Sequence, residues 1–308
     1  MILSGLIGAS VGAQQSPLPT ETNAGPTQSL NNLAEMRTKA ETGDIRAECG
    51  LGLMYCNGQG VTKDYVEALR WLRKAADQND AVAEYNLGVC YERGEGVVAD
   101  VAAAVGWYRK AAEQGNPKAE SNLGVCYYNG TGVTRDYGEA FSWYRKAAEQ
   151  GHPHAQRNLG VCYAIGSGVA KDTTEAAKWY RKAAEQGDAG AEYNLGVAYY
   201  KGAGLVQDAV EAVKWFRSAA DQGHAASQFN LGACYFNGDG LSKDIIAAYK
   251  WVRLSSAQGY TKATKTLPQI ELEMTTDQIA EAQHLVRQFK PHPAGESNPG
   301  ELMNPDGH

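Results

Sequence analysis

The six tryptophans of this chain stand 36 residues apart, at Trp71, Trp107, Trp143, Trp179, Trp215 and Trp251. The same step carries a Leu-Gly pair: Leu51-Gly52, Leu87-Gly88, Leu123-Gly124, Leu159-Gly160, Leu195-Gly196 and Leu231-Gly232. A fixed step of this length means one supersecondary unit copied along a line, each copy burying against its neighbours a face it cannot bury alone. No insertion or deletion separates the anchors between Asp44 and Gly259. The expected architecture is therefore a single array with distinct ends.

The second copy, Asp80 to Gly115, shows what is repeated. Ala83, Leu87, Cys90 and Tyr91 recur at helical spacing and predict a first helix, A, over Val82 to Glu92. Gly88 lies inside it, where a glycine costs about 1 kcal/mol relative to alanine. All six copies accept that cost, so a neighbouring helix is expected to pass too close for a Cβ; Gly124 and Gly160 take the same role. Gly94-Glu95-Gly96 then ends helix A, its first glycine suited to a left-handed C-terminal cap and its second to a reversal of the chain. A phosphate-binding loop would need a preceding strand and a third glycine, and the sequence offers neither. Helix B opens at Asp100, with Asp136 and Asp172 among its equivalents, because an aspartate accepts from the free N–H groups of a first turn. Glu67, Glu139, Glu175 and Glu211 follow three residues after this cap and predict a capping box. Along helix B, Ala104, Trp107 and Ala111 form the stripe expected to meet helix A, with the tryptophans as buried structural residues. An Arg two places after each Trp is read as a solvent charge paired with an acid four residues on, as in Arg109 and Glu113. His152 and His154 flank Pro153 in a connection between helices and are read as loop residues.

The ends depart from the pattern. Residues 31–43 read as an N-terminal capping helix, residues 44–259 as the six repeats, and residues 260–290 as a half-repeat followed by a capping helix that Thr276 or Asp277 opens. Residues 1–30 join an apolar segment, 2–13, to a leader rich in Gln, Ser, Thr and Pro. The apolar segment resembles the core of a secretory signal but lacks its positive start. An exported or periplasmic location is the expectation and a cytoplasmic one the alternative. Residues 291–308 hold too little apolar surface to fold alone. Net charge is -6, which excludes an electrostatic grip on nucleic acid, and nothing in the chain reads as a membrane span. Cys90, Cys126, Cys162 and Cys234 share one register and are expected to stay unbridged, since helices of successive copies lie about 8–10 Å apart and a disulfide needs Cα atoms within about 7 Å. Cys49 and Cys56 are too far apart along one helix to pair, whereas a bridge between Cys56 and Cys90 stays open. No nucleophile, base and orienter converge in the pattern and no metal-ligand spacing occurs, so catalytic residues, metals and cofactors are all expected to be absent.

With Ala, Leu-Gly, Tyr, Gly-x-Gly-Val, Asp, Ala, Trp and Ala-Ala-Glu-Gln-Gly in register, the repeat resembles the Sel-one-like repeat (SLR) family, relatives of the tetratricopeptide repeat. The resemblance covers residues 44–259. It implies an all-α, right-handed α/α superhelical solenoid whose helices A line a concave groove. It also implies non-catalytic adaptor work: a monomeric scaffold that holds a protein or peptide partner. A cysteine-rich secreted branch of the family is linked to β-lactam binding, but this chain lacks its late helix B cysteines and any Ser-x-x-Lys. A structural spacer, or a weak hydrolase, is the alternative reading.

Within such a groove two sets of residues stand out. Asn86, Asn122, Asn158, Asn194 and Asn230 precede the anchoring leucine in five copies. Each either hydrogen-bonds a ligand backbone, as in peptide-binding relatives, or supports the neighbouring helix. Positions that differ between copies are the natural source of specificity. Two residues before the Leu these include Tyr85, Arg157, Tyr193 and Phe229; five residues after it, Tyr200 and Phe236. The aromatic members Tyr193, Tyr200, Phe229 and Phe236 are expected to anchor an extended peptide or helix, as aromatics do in binding hot spots.

Overall fold

A computed structural model describes residues 26–292, with side chains from residue 33 onward. Fifteen helices, and no strand, occur among the described residues. They are α1 (Pro26–Glu41), α2 (Ile45–Asn57), α3 (Tyr65–Asp77), α4 (Ala81–Arg93), α5 (Val101–Glu113), α6 (Pro117–Asn129), α7 (Tyr137–Glu149) and α8 (Pro153–Ile165), followed by α9 (Thr173–Ala184), α10 (Ala189–Lys201), α11 (Ala209–Asp221), α12 (Ala225–Asn237), α13 (Ile245–Ala257), α14 (Thr261–Glu271) and α15 (Thr276–Gln288). Even-numbered helices from α2 to α12 are helices A and odd-numbered ones from α3 to α13 are helices B. The chain divides into two compact units between Gln150 and Gly151. In each, a helix A packs on its own helix B and that helix B on the helix A that follows. Together the copies form an all-α solenoid sequence of six helix pairs. The apolar segment 1–13, the first part of the leader and residues 293–308 lie outside the described residues.

The repeated residues fold as their chemistry requires. Gly94 closes α4 in the left-handed region, φ 71°, and its N–H donates to the Cys90 carbonyl. Gly96 is also left-handed, and a Cβ there would stand 2.5 Å from the Tyr65 carbonyl oxygen at the start of the preceding helix B. The second glycine is thus a contact between copies as well as a turn. Asp64, Asp100, Asp136, Asp172, Asp208 and Asp244 cap their helices B by accepting first-turn N–H groups. The predicted capping box does not form at Glu67, Glu139, Glu175 or Glu211. The cap's own N–H is already taken by the carbonyl of the helix A tyrosine, as from Asp64 to Tyr55 at 3.1 Å. Three of the glutamates instead face cations one turn on, Glu67 with Arg70, Glu175 with Lys178 and Glu211 with Lys214.

The Leu-Gly pair is a close-packing site, and its partner is not the tryptophan. A Cβ on Gly88 would meet the Tyr108 ring at 2.5 Å; Gly124 meets Tyr144, Gly160 Tyr180, Gly196 Phe216, Gly52 Leu72 and Gly232 Val252. Each partner directly follows a Trp. Tyr108, Tyr144 and Phe216 are fully buried, whereas Trp107, Trp143, Trp179 and Trp215 are only half-buried; Trp71 and Trp251 alone of the six are buried. The expectation of six buried indoles is therefore corrected. The indole lies over the edge of the core, where a lysine one turn later covers its face: Lys110 over Trp107 at 4.2 Å and Lys146 over Trp143 at 3.8 Å. A half-exposed ring with a cation on its π-face loses less than it would by being dry.

The two ends close the units. α1 begins at Pro26, five residues earlier than expected, and Leu33, Met36 and Ala40 pack on Leu51 and Trp71. At the other end Thr275, rather than Thr276 or Asp277, caps α15, and its reciprocal bonds with Gln278 make a complete capping box. α15 packs on α13. Pro268, at the register where the repeats carry glycine, stays inside α14.

Candidate partner-binding surface

Polar bonds first show which side chains the scaffold itself uses. Near the end of every helix B a glutamine reaches a buried acid or amide early on its own helix A: Gln78 to Glu48, Gln114 to Glu84, Gln150 to Glu120, Gln186 to Gln156, Gln222 to Glu192 and Gln258 to Gln228, all at 2.6–2.8 Å. This bond shuts the helix pair at the end opposite the Gly-x-Gly turn. The helix B arginines act between copies. Arg73 donates to the Tyr91 hydroxyl at 2.6 Å, Arg109 to Tyr127 at 2.8 Å, Arg181 to Tyr199 at 2.6 Å and Arg217 to Tyr235. The expected i+4 pairing is seen at Arg145, whose Nε lies 3.9 Å from Glu149.

The asparagines divide. Asn86 donates to the Val82 carbonyl of its own helix at 2.7 Å. Asn122 lies against the Tyr85 and Tyr108 phenols, and Asn230 against that of Tyr193, one copy earlier, where each acts to lower the phenol's pKa. Asn158 is buried and Asn194 half-buried. The structure thus gives the supporting alternative clear members. The variable aromatics divide as well. Phe229 is 2% exposed, within the C-terminal core beside Tyr249, Leu267 and Ile270 and 5.5 Å from the Tyr260 ring. It cannot anchor a partner while folded there, and its truncation is a core mutation. Tyr85 and Tyr193 are half-buried, packed on Tyr108 and on Phe216 and His224. Tyr200 and Phe236 are half-buried too; the Tyr200 hydroxyl donates to Asp239 at 2.9 Å and Lys243 covers the Phe236 ring.

The second unit holds a cluster that the repeat pattern does not announce. His152 is no loop residue but the N-cap of α8, and His154 lies in that helix's first turn. His154 Nδ1 stands 2.6 Å from Asp188, and Arg157 donates to the same carboxylate at 3.1 Å. Asp188, its side chain 2% exposed, also caps α10 through the Ala191 N–H. Burial acts to raise its pKa, but the His154 hydrogen bond and the Arg157 and His154 charges outweigh it and leave the carboxyl below its ordinary value. Gly190 leaves the guanidinium its place, since a Cβ would meet Arg157 Nη1 at 2.5 Å. One copy on, burial with help from the Arg157 charge pushes His224 down to about 4. Glu192, buried with Ser218 and Gln222 as hydrogen-bond donors, is pushed up to about 7 by desolvation. The only advance sign of this cluster is a separation of 34 residues between His154 and Asp188, which the repeat geometry turns into contact.

Among the described residues no group of His, Cys, Asp and Glu is placed to hold a metal ion, and no helix is long and apolar enough to cross a membrane. The Sel1 repeat profile matches residues 45–80, 81–116, 117–152, 153–188, 189–224 and 225–260. Each match starts at the first residue of a helix A. A Sel1 repeat protein from Oxalobacter formigenes is 32% identical and covers 80% of this chain and 99% of its own, with a TM-score of 0.68. A protective antigen with the SLR fold, present in uropathogenic Escherichia coli strains, is 26% identical over 88% of each chain, with a TM-score of 0.40. The immunity protein Pa5087 from Pseudomonas aeruginosa is 20% identical, over 68% of this chain and 83% of its own, with a TM-score of 0.45. No curated protein matches the chain.

Proposed function

The chain belongs to the Sel1 repeat family, whose members are generally protein-interaction scaffolds, and we propose that it binds a protein or peptide partner along the half-exposed faces of its helices A. One observation carries this reading. The positions that the repeat holds constant are occupied internally, by close packing at Leu-Gly, by the Gln bonds to Glu or Gln, and by the Arg–Tyr bonds. Half-exposed positions on helix A vary from copy to copy, as in Arg157, Tyr193, Tyr200 and Phe236 of the second unit. A shared fold has no need for those differences; selective recognition does. Tyr200 and Phe236 are the strongest anchors, because they combine aromatic area with partial exposure. Their repeat register also tolerates small residues, since Ala164 occupies it in the fourth copy.

The test is affinity capture with the intact chain, followed by the double variant Tyr200→Ala/Phe236→Ala checked for unchanged helicity. Loss of a partner that the parent retains supports the surface. Retention of that partner at full affinity would place recognition elsewhere on the scaffold.

A further inference from the structure

All six cysteines are free thiols, and the repeat register decides which of them can meet. A residue five places after the anchoring leucine lies beside the residue three places after the leucine of the next copy, 34 positions on. Glu92 acts electrostatically on Cys126, and Tyr200 neighbours Cys234, through this relation. Only one pair of cysteines in the chain satisfies it: Cys56 and Cys90. Cys90 belongs to the core cluster built on Leu69, Leu72 and Leu87, Cys56 packs against the same cluster, and the two thiols interact with each other. Cys56, in the last turn of α2, is partly exposed, whereas Cys90 on α4 is 2% exposed. α2 and α4 touch directly.

We propose that Cys56 and Cys90 form a redox modification site, in which a peroxide converts the thiol pair into a reversible disulfide that staples the first helix A to the second. Cys56 is the attacking group. The interaction with Cys90 holds its pKa below the ordinary thiol value, with a smaller contribution from the Lys63 charge, against the opposing effects of burial and of the Glu95 charge. A lowered pKa and access to solvent are what a peroxide-reactive cysteine requires. The Cys56 thiolate attacks one oxygen of hydrogen peroxide, the O–O bond breaks, and the other oxygen leaves as water with the proton the thiol gave up. Cys56 is then a sulfenic acid. The Cys90 sulfur loses its proton and attacks the Cys56 sulfur; the S–O bond breaks and a second water departs. Two thiols have lost two protons and two electrons, and one peroxide has become two waters. The remaining cysteines lack such a partner. Cys49 interacts with Asp80, and burial pushes Cys126, Cys162 and Cys234 up to about 12.

The experiment treats the full-length protein with a modest excess of hydrogen peroxide, blocks free thiols, and maps peptides without reduction. The expected result is a single intramolecular bridge joining the Cys56 and Cys90 peptides, reversed by dithiothreitol and formed equally in Cys49→Ser. Cys56→Ala and Cys90→Ala should each abolish it. Both should fold, because Ala164 and Ala198 hold these registers in later copies. Over-oxidation of Cys56 to sulfinic acid with Cys90 still alkylatable would overturn the proposal. So would a bridge to Cys49, or no bridge at a peroxide dose that oxidises Cys56.

Discussion

In the first unit the helix A caps Asp44, Asp80 and Asn116 accept backbone N–H groups of one turn each. In the second unit Asp188 holds the same register and the same cap, yet also takes in His154 and Arg157 from the copy before it. The acids below the caps differ in parallel. Glu84 and Glu120 answer one glutamine each, while Glu192 answers Gln222 and Ser218 and directly precedes Tyr193, whose ring packs on His224. Both units use the same packing, so the difference lies wholly in side chains that reach the adjacent copy. A repeat scaffold can therefore gain a charged cluster without altering any residue that sets the helix geometry.

The comparison breaks most easily at its common element. Tyr108 and Phe216 fill the same site against Gly88 and Gly196 in the two units. Truncating either to Ala should cost about 3–5 kcal/mol, and urea denaturation should give similar losses for both; a marked inequality would show that the cores are not equivalent. Trp107→Ala, at a half-buried site, should cost clearly less than Tyr108→Ala. The units should then separate at their caps. Asp188→Ala leaves the half-buried Arg157 and His154 without their carboxylate and should cost about 1.5–3 kcal/mol, whereas Asp80→Ala removes chiefly a cap, about 1 kcal/mol. Equal losses in denaturation midpoint would deny the cluster any energetic role.

A pH series sharpens the contrast further. Glu192 titrates near 7 in the folded chain against an ordinary 4.5, so the native state binds its proton more tightly and stability falls as pH rises from about 4.5 to 7. His224 acts with the opposite sign. Its folded value of about 4 lies below the ordinary 6.5, so the unfolded chain binds more protons between them and stability rises with pH across that window. The two slopes oppose in the parent protein. Glu192→Gln should remove one of them, raise stability above pH 7 by up to about 3 kcal/mol, and leave a net rise with pH between about 4 and 6.5. A flat profile in the variant would show that His224 is not buried neutral. The smallest effect belongs to the exposed bonds between copies: Tyr127→Phe, which removes the acceptor for Arg109, should cost at most about 1 kcal/mol in thermal or urea unfolding.

The helices, caps and turns were legible because each rests on a local residue with one dominant conformational use. Asp100 at a first turn and Gly94 at a last turn mean the same thing in any helix. What escaped was which side chains meet between helices, within a copy as well as from one copy to the next. The invariant tryptophans drew the core assignment, although the varied residue after each one, Leu72, Tyr108, Tyr144, Tyr180, Phe216 or Val252, meets the glycine. Helical periodicity places both on the apolar side and cannot say which points inward. The Gln78–Glu48 series did leave a trace, an acid or amide three residues before every anchoring leucine matched by a glutamine 30 residues later. The partial exposure of Tyr200 and the burial of Phe229 left none, because the capping helices that cover Phe229 lie beyond the repeat.

The Arg–Tyr bonds carry a last implication, for how such a chain can lengthen or shorten. Arg37 on α1 donates to Tyr55 at 2.6 Å across the same 18-residue separation that joins Arg73 to Tyr91 and Arg109 to Tyr127. The opening helix thus offers the first copy the same handle that Arg73, Arg109, Arg181 and Arg217 offer the copies after theirs. Duplication or excision of a whole 36-residue cassette within a unit keeps arginine and tyrosine 18 residues apart across the new junction, so this bond can re-form there. A one-residue slip between the tryptophan helix and the next Leu-Gly would instead misalign arginine and tyrosine.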